Sequence, residues 1–181
     1  METNQVVCMR DVLQTARWYA IQVRPRSEFC TAAILRDRGY HEFVPKYRSI
    51  RQWSDRKVEL ELPLFPGYIF CNFNPEVRLP ILTTPGVVRV VGTGKMPLPV
   101  EESEINAILQ VVQSNYKVAP HPFVAVGAKV RIEEGPLAGL EAIVSGFKNR
   151  QIIFSVGLLK RSISVGLDDS AVAMLRMAKS A

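Results

Sequence analysis

The sequence is poor in the groups that carry most enzyme chemistry. Its 181 residues include two histidines and three cysteines. His41 and His121 are far apart, and His121 lies between two prolines, so no nucleophile, base and orienting group can be assembled around either. Cys8, Cys30 and Cys71 are odd in number and show no paired spacing, which argues against a disulfide framework and a zinc site. No apolar run approaches the length of a membrane span. The first residues lack the apolar centre of a secretory signal, because Cys8-Met9 is soon followed by Arg10-Asp11. A cytoplasmic protein with no membrane partner is expected. Gly92-Thr93-Gly94-Lys95 lacks the glycine spacing and trailing Ser or Thr of a phosphate loop and reads as a hairpin turn. Glu101, Glu102 and Glu104 resemble paired carboxylates, but they open a helix, where the macrodipole favours negative charge. These absences predict a protein that is not an enzyme, with no catalytic residue, metal or cofactor.

What is present is positive charge in one place. The net charge is +6 with a pI near 9.4. Residues 17 to 57 hold ten Lys or Arg against four Asp or Glu, a balance of +6, so the remainder is neutral overall. A basic excess confined to one region is the electrostatic footprint of a nucleic-acid partner. Its sharpest cluster is Arg24, Arg26, Arg36 and Arg38, which brackets a helix at both ends. Arg36 and Arg38 suit the negative end of the dipole. Arg24 and Arg26 stand at the positive end, where a phosphate or base partner would justify them.

The order of patterns predicts an α+β domain followed by a small β-barrel. Residues 1–16 have no period and read as an extension. Trp18 to Val23 is a strand rich in aromatic and β-branched residues. Ser27 is the expected N-cap of the next helix and Gly39 its stop. Tyr40 to Ile50 reads as a second strand, and a basic turn from Arg51 to Lys57 leads to a third, Val58 to Leu62. Asn74-Pro75 opens a short helix, Thr84-Pro85-Gly86 is a turn, and Val87 to Val91 reads as a buried strand. Ile105, Ile108, Leu109 and Val112 mark the strongest amphipathic helix. Residues 116–122, ending in Pro120-His121-Pro122, are the expected linker between an α+β domain at 17–115 and the barrel at 123–181. In the barrel, Ile143, Val144, Phe147, Ile152, Ile153, Phe154, Val156, Ile163 and Val165 favour strands over helix.

One aromatic stretch organises the chain: Leu64-Phe65-Pro66-Gly67-Tyr68-Ile69-Phe70. A strand begins near Gly67, with Tyr68 and Phe70 on one face and Ile69 on the other. Either Ile69 faces the core and Tyr68, Phe70 and Phe65 form an outer apolar patch, or the sheet is covered on both faces. This stretch resembles the signature of the NusG family of transcription elongation factors. Trp18-Tyr19-Ala20-Ile21, Thr84-Pro85-Gly86-Val87 and the Gly127 to Gly139 stretch fall in the family's order around it.

The resemblance implies an antiparallel sheet with flanking helices, then an SH3-like barrel carrying the KOW motif. Gly127, Val130, Ile132, Gly135, Pro136 and Gly139 would form that motif, with Ala142 where the family usually has glycine, a change that could alter a bulge. It implies that Phe65, Pro66, Tyr68 and Phe70 dock on the clamp helices of the largest RNA polymerase subunit. Arg24, Arg26, Arg36 and Arg38 would lie over the non-template DNA strand, and the barrel would bind a ribosomal protein or Rho. Arg24-Pro25-Arg26 and Leu82 to Val88 are most similar to the specialised antiterminator paralogues. Some of those fold the second domain as a helical hairpin over the patch. The strand-forming residues here predict a barrel that is β at rest and leaves the patch open. Two alternatives are a housekeeping factor serving Rho and a KOW-type ribosome or RNA-binding protein. The second is disfavoured by the eight basic and five acidic residues of 123–181.

Overall fold

The computed structural model describes residues 16–52, 56–94, 96–114, 116–121, 128–131, 137–139, 141–144 and 151–166. The chain divides into two compact units, residues 1–44 with 66–102, and residues 45–65 with 103–181.

The first unit is built on strand β1 (Arg17–Val23), where aromatic and β-branched residues favour a pleated, buried setting. Helix α1 (Glu28–Asp37) carries the chain across to β2 (His41–Phe43), and Gly39, at φ +84°, ends the helix as expected. Strand β5 (Tyr68–Phe73) returns between β1 and β2. A 3₁₀ turn (Pro75–Val77) and the short helix α2 (Leu79–Leu82) then lead to β6 (Val87–Val90). The order β2-β5-β1-β6 is antiparallel throughout, a split β-α-β arrangement in which each helix crosses over one intervening strand. One sheet face carries Tyr19, Ile21 and Val23 of β1 with Ile69, Cys71 and Phe73 of β5. These pack with Leu35 of α1 and Ile81 of α2. The Tyr19 and Phe73 rings meet in a tilted arrangement at a centroid distance of 4.8 Å. A small hairpin follows, β7 (Gly92–Thr93) with β8 (Met96–Pro97), with Gly94 in the turn after β7 as read from the sequence; Lys95 lies outside the described residues.

The second unit holds a two-stranded ribbon, β3 (Lys46–Gln52) with β4 (Lys57–Pro63), helix α3 (Glu102–Gln113) and a five-stranded antiparallel sheet. That sheet runs β10-β11-β12-β13-β9, where β9 is Lys117–His121, β10 Ala128–Arg131, β11 Glu141–Val144, β12 Gln151–Val156 and β13 Arg161–Gly166. Every described part of residues 140–165 is therefore strand, 3₁₀ helix or turn.

Four sequence expectations are corrected. Tyr40 to Ile50 is two strands, because Val44-Pro45 breaks the ladder and the chain leaves one sheet for another; Pro45 cannot donate but its carbonyl accepts from Leu64 N–H at 2.8 Å. Residues 117–121, expected within the linker, instead pair with Ser162 to Gly166 as an edge strand, and a proline is tolerated on such an edge. Strand β6 is also an edge, and its Val88 and Arg89 are exposed rather than buried. On α3 the buried stripe is Ile105, Ile108 and Val111, with Leu109 and Val112 half-buried at its margins.

Candidate nucleic-acid and partner interface

The end of β1, the start of α1 and two proline-glycine turns meet in the first unit. Val23 N–H donates to the Gly67 carbonyl at 2.9 Å, and Arg24 N–H donates to the Gly86 carbonyl at 2.8 Å. From α1, the buried Glu28 carboxylate accepts from Gly67 N–H at 2.7 Å. One turn further, Thr31 Oγ1 donates to the Pro85 carbonyl at 3.1 Å. Gly67 and Gly86 have φ of +83° and +90°, and a Cβ on Gly86 would sit 2.2 Å from Thr31 Oγ1. Glycine is thus required at position 86 by both backbone and space.

Between those turns the chain makes a β-turn. Ser27 N–H donates to the Arg24 carbonyl at 3.0 Å, Pro25 takes the second position and Arg26 the third, at φ +67°. Proline followed by a positive φ is the type II pattern, whose third position normally holds glycine or asparagine. An arginine there is uncommon, and left-handed backbone in a β-carbon residue costs about 1–2 kcal/mol. Ser27 does not cap α1 with its side chain. Its φ of −103° and ψ of 2° lie away from the extended geometry of a cap, though its carbonyl accepts from Thr31 N–H at 2.8 Å. Glu28, expected merely to complement the dipole, is turned inward to Gly67.

The four arginines separate into two pairs. Arg24 and Arg26 are exposed, and neither side chain has a hydrogen bond or ion pair among the described residues. Arg36 is committed to Glu42, with Nε donating to Oε1 at 2.8 Å and Nη2 reaching the same oxygen. Arg38 Nη1 donates to the Pro80 carbonyl and to Thr84 Oγ1, each at 2.9 Å, tying the end of α1 to α2 and the second turn. The sequence did not reveal these partners, which lie 6 to 46 residues away along the chain.

The aromatic stretch does not form an open patch. Phe65 and Phe70 are 1% and 0% exposed, Tyr68 is half-buried, and only Pro66 is exposed. Both faces of β5 carry buried side chains, Ile69 on one and Phe70 on the other. Ile69 lies in the core with Ile21 and Leu35. Phe70, on the opposite face, pairs with the buried Ala20 and stacks on Phe43 at 6.2 Å. Near the chain's end, Val130 lies in β10 opposite Ala142 and Gly139 has φ +85°. Gly127, Ile132, Gly135 and Pro136 lie outside the described residues. The β10–β11 ladder runs in register from Ala128↔Val144 to Arg131↔Glu141, so Ala142 sits in a regular ladder and introduces no bulge there.

Burial, with a lesser push from the Glu42 carboxylate, raises the Cys71 thiol to about 12, which keeps it protonated and poorly nucleophilic. Burial likewise raises the Tyr19 phenol, against a smaller opposing pull from Arg17. Among the described residues no His, Cys, Asp and Glu group could hold a metal ion, and no helix is long and apolar enough to cross a membrane.

Residues 16–109 match the family described as NusG, transcription termination factor. The chain is 32% identical over 166 residues to the transcription termination/antitermination protein NusG of Campylobacter jejuni, covering 84% of this chain and 90% of that one. It is 30% identical over 171 residues to the protein of the same name from Helicobacter pylori, covering 86% and 96%. With the Vibrio vulnificus protein the identity is 26% over 174 residues. The two turns clamped on α1, Pro66-Gly67 and Pro85-Gly86, both fall inside the matched span, and the chain belongs to the NusG family of transcription termination and antitermination factors.

Proposed function

We propose that this protein is a transcription elongation and antitermination factor that binds RNA polymerase and suppresses pausing by binding energy rather than chemistry. The observation that carries this reading is the exposed pair Arg24 and Arg26, whose side chains have no hydrogen bond or ion pair among the described residues and which stand between the two family turns. Guanidinium groups fixed in this way suit phosphate and base edges of a single DNA strand. The DNA contact is accordingly assigned to Arg24 and Arg26. Arg36 and Arg38, engaged with Glu42, Pro80 and Thr84, hold the frame.

Docking on the polymerase clamp helices is assigned to the stretch of Phe65, Pro66, Tyr68 and Phe70, of which Pro66 and Tyr68 are accessible and Phe65 and Phe70 are buried. Residues 17–115 would act as the polymerase-binding domain and 123–181 as an SH3-like KOW barrel that recruits a ribosomal protein or Rho. The five-stranded antiparallel sheet supports the barrel reading. Such a factor works in the cytoplasm. The test is a pull-down with purified RNA polymerase and a pause assay on a defined template. Tyr68→Ala should weaken polymerase binding by about 2 kcal/mol, the scale of an interface anchor, with little loss of thermal stability. Normal binding by that variant would remove Tyr68 from the interface.

A further inference from the structure

Among the described residues Arg24 and Arg26 have no side-chain partners, and their position is set by the backbone beneath. That backbone is fixed from four directions. Val23 and Arg24 are hydrogen-bonded to Gly67 and Gly86, and those two turns are in turn hydrogen-bonded to side chains of α1. Glu28 holds the first turn through Gly67 N–H, and Thr31 holds the second through the Pro85 carbonyl. Both side chains are buried, at 4% and 1% exposure, so water competes poorly for either bond. Neither touches solvent-facing chemistry, and neither belongs to the basic cluster. Their partners are 39 and 54 residues away, which makes each one a long-range tie rather than a helix cap.

We infer that Glu28 and Thr31 are positioning residues for DNA binding: together they lock the Pro66-Gly67 and Pro85-Gly86 turns onto α1 and so preset the Arg24-Pro25-Arg26 arm. The inference rests on the assignment of DNA contact to that arm. Its physical basis is that a side chain aimed in advance loses less freedom on binding. Arg26 strengthens the case, since its left-handed backbone persists only where surrounding structure over-determines it. Releasing either tie lets the β-turn relax and the guanidinium groups spread over many directions. Some phosphate contacts then fail to form, even though the sheet beneath stays folded.

The experiment uses the full chain and a fluorescent DNA duplex with an unpaired bubble, titrated across salt concentrations. Each phosphate contact to a single strand contributes about 0.7 to the slope of log affinity on log salt. Arg24→Ala with Arg26→Ala should flatten that slope by about 1.4, two contacts' worth. Thr31→Val removes the hydroxyl at nearly constant shape and Glu28→Met removes the acceptor. Each should flatten the slope by about 0.7 or more, and Glu28→Met should also speed exchange of the Gly67 amide hydrogen. Thr31→Ser and Glu28→Gln restore a donor and an acceptor, and should restore the slope.

A folded Thr31→Val or Glu28→Met protein with weakened stability or lost Gly67 protection but the wild-type slope would overturn the inference. Both residues would then be merely structural. Should Glu28→Met fail to fold, Thr31→Val decides alone. An unchanged slope in the double arginine variant would instead overturn the DNA assignment itself, and the inference with it.

Discussion

Arg26 concentrates a trade between stability and binding in one residue. Its φ of +67° is the third position of a type II turn, where glycine is preferred on backbone grounds alone. Arg26→Gly should therefore keep the fold and raise or hold its melting temperature, because relief of left-handed strain offsets glycine's greater freedom in the unfolded chain. The same change should weaken binding to bubble DNA and flatten its salt slope by about 0.7. Parallel thermal melts and salt titrations check both halves. A loss of stability together with unchanged DNA binding would place Arg26 in the structural class with Arg38, which braces Pro80 and Thr84. At this scale the sequence was only half legible. Arginines of one type at four positions look alike in a string. What separates them is whether a carboxylate or carbonyl lies opposite in space.

Among the elements, β5 decides how the signature stretch behaves. Its placement between β1 and β2 gives it neighbours on both edges, and its side chains are buried on both faces, Ile69 on one and Phe70 on the other. Phe70→Ala should cost about 3–5 kcal/mol of stability, the usual range for truncating a buried phenylalanine. Denaturant unfolding would measure it, and a cost under about 1 kcal/mol would show that the ring is not part of a packed core. The strand itself was readable from Gly67 and the alternation after it, while the choice between an open patch and a sheet covered on both faces was not. What could not be read was which strand would be central, because strand order depends on crossovers rather than on local pattern. The same gap explains β6, whose valines read as buried although its outer edge faces no strand among the described residues. Pro45 was visible in the sequence, but the aromatic and β-branched residues around it masked the break.

For the whole molecule, the run of strands after residue 115 was legible in the sequence, but the boundary was not, since nearly all of α3 falls in the second unit with those strands. The assignment of residues 45–65 to the second unit was not legible either, because a compact unit can be assembled from distant stretches of chain. The basic excess at residues 17–57 consequently spans both units, with Arg24 and Arg26 in one and the ribbon's Lys46, Arg48 and Arg51 in the other. The ribbon charges are partly neutralised, with Lys46 to Glu61 at 2.7 Å and Arg48 to Glu59 at 3.5 Å. Both pairs are exposed and each is worth at most about 1 kcal/mol.

The ribbon's route through the chain gives the architecture a modular character. Strands β2 and β5 are direct antiparallel neighbours, ending at the pair Phe43↔Phe70, so the whole Lys46–Pro63 excursion leaves and rejoins the sheet where a short hairpin loop would suffice. Its own base is stitched by Leu64 N–H to the Pro45 carbonyl. Insertions with closely spaced ends can be exchanged at small cost to their host. Replacing residues 45–65 with a tight glycine-containing turn should leave the four-stranded sheet able to fold, as amide protection of β1 and β5 would report. Loss of that protection would show the ribbon to be integral. Within one lineage of such proteins, the ribbon could then lengthen, shorten or change its charges while the clamp on α1 stayed constant, so that new targets are acquired by grafting rather than by redesign.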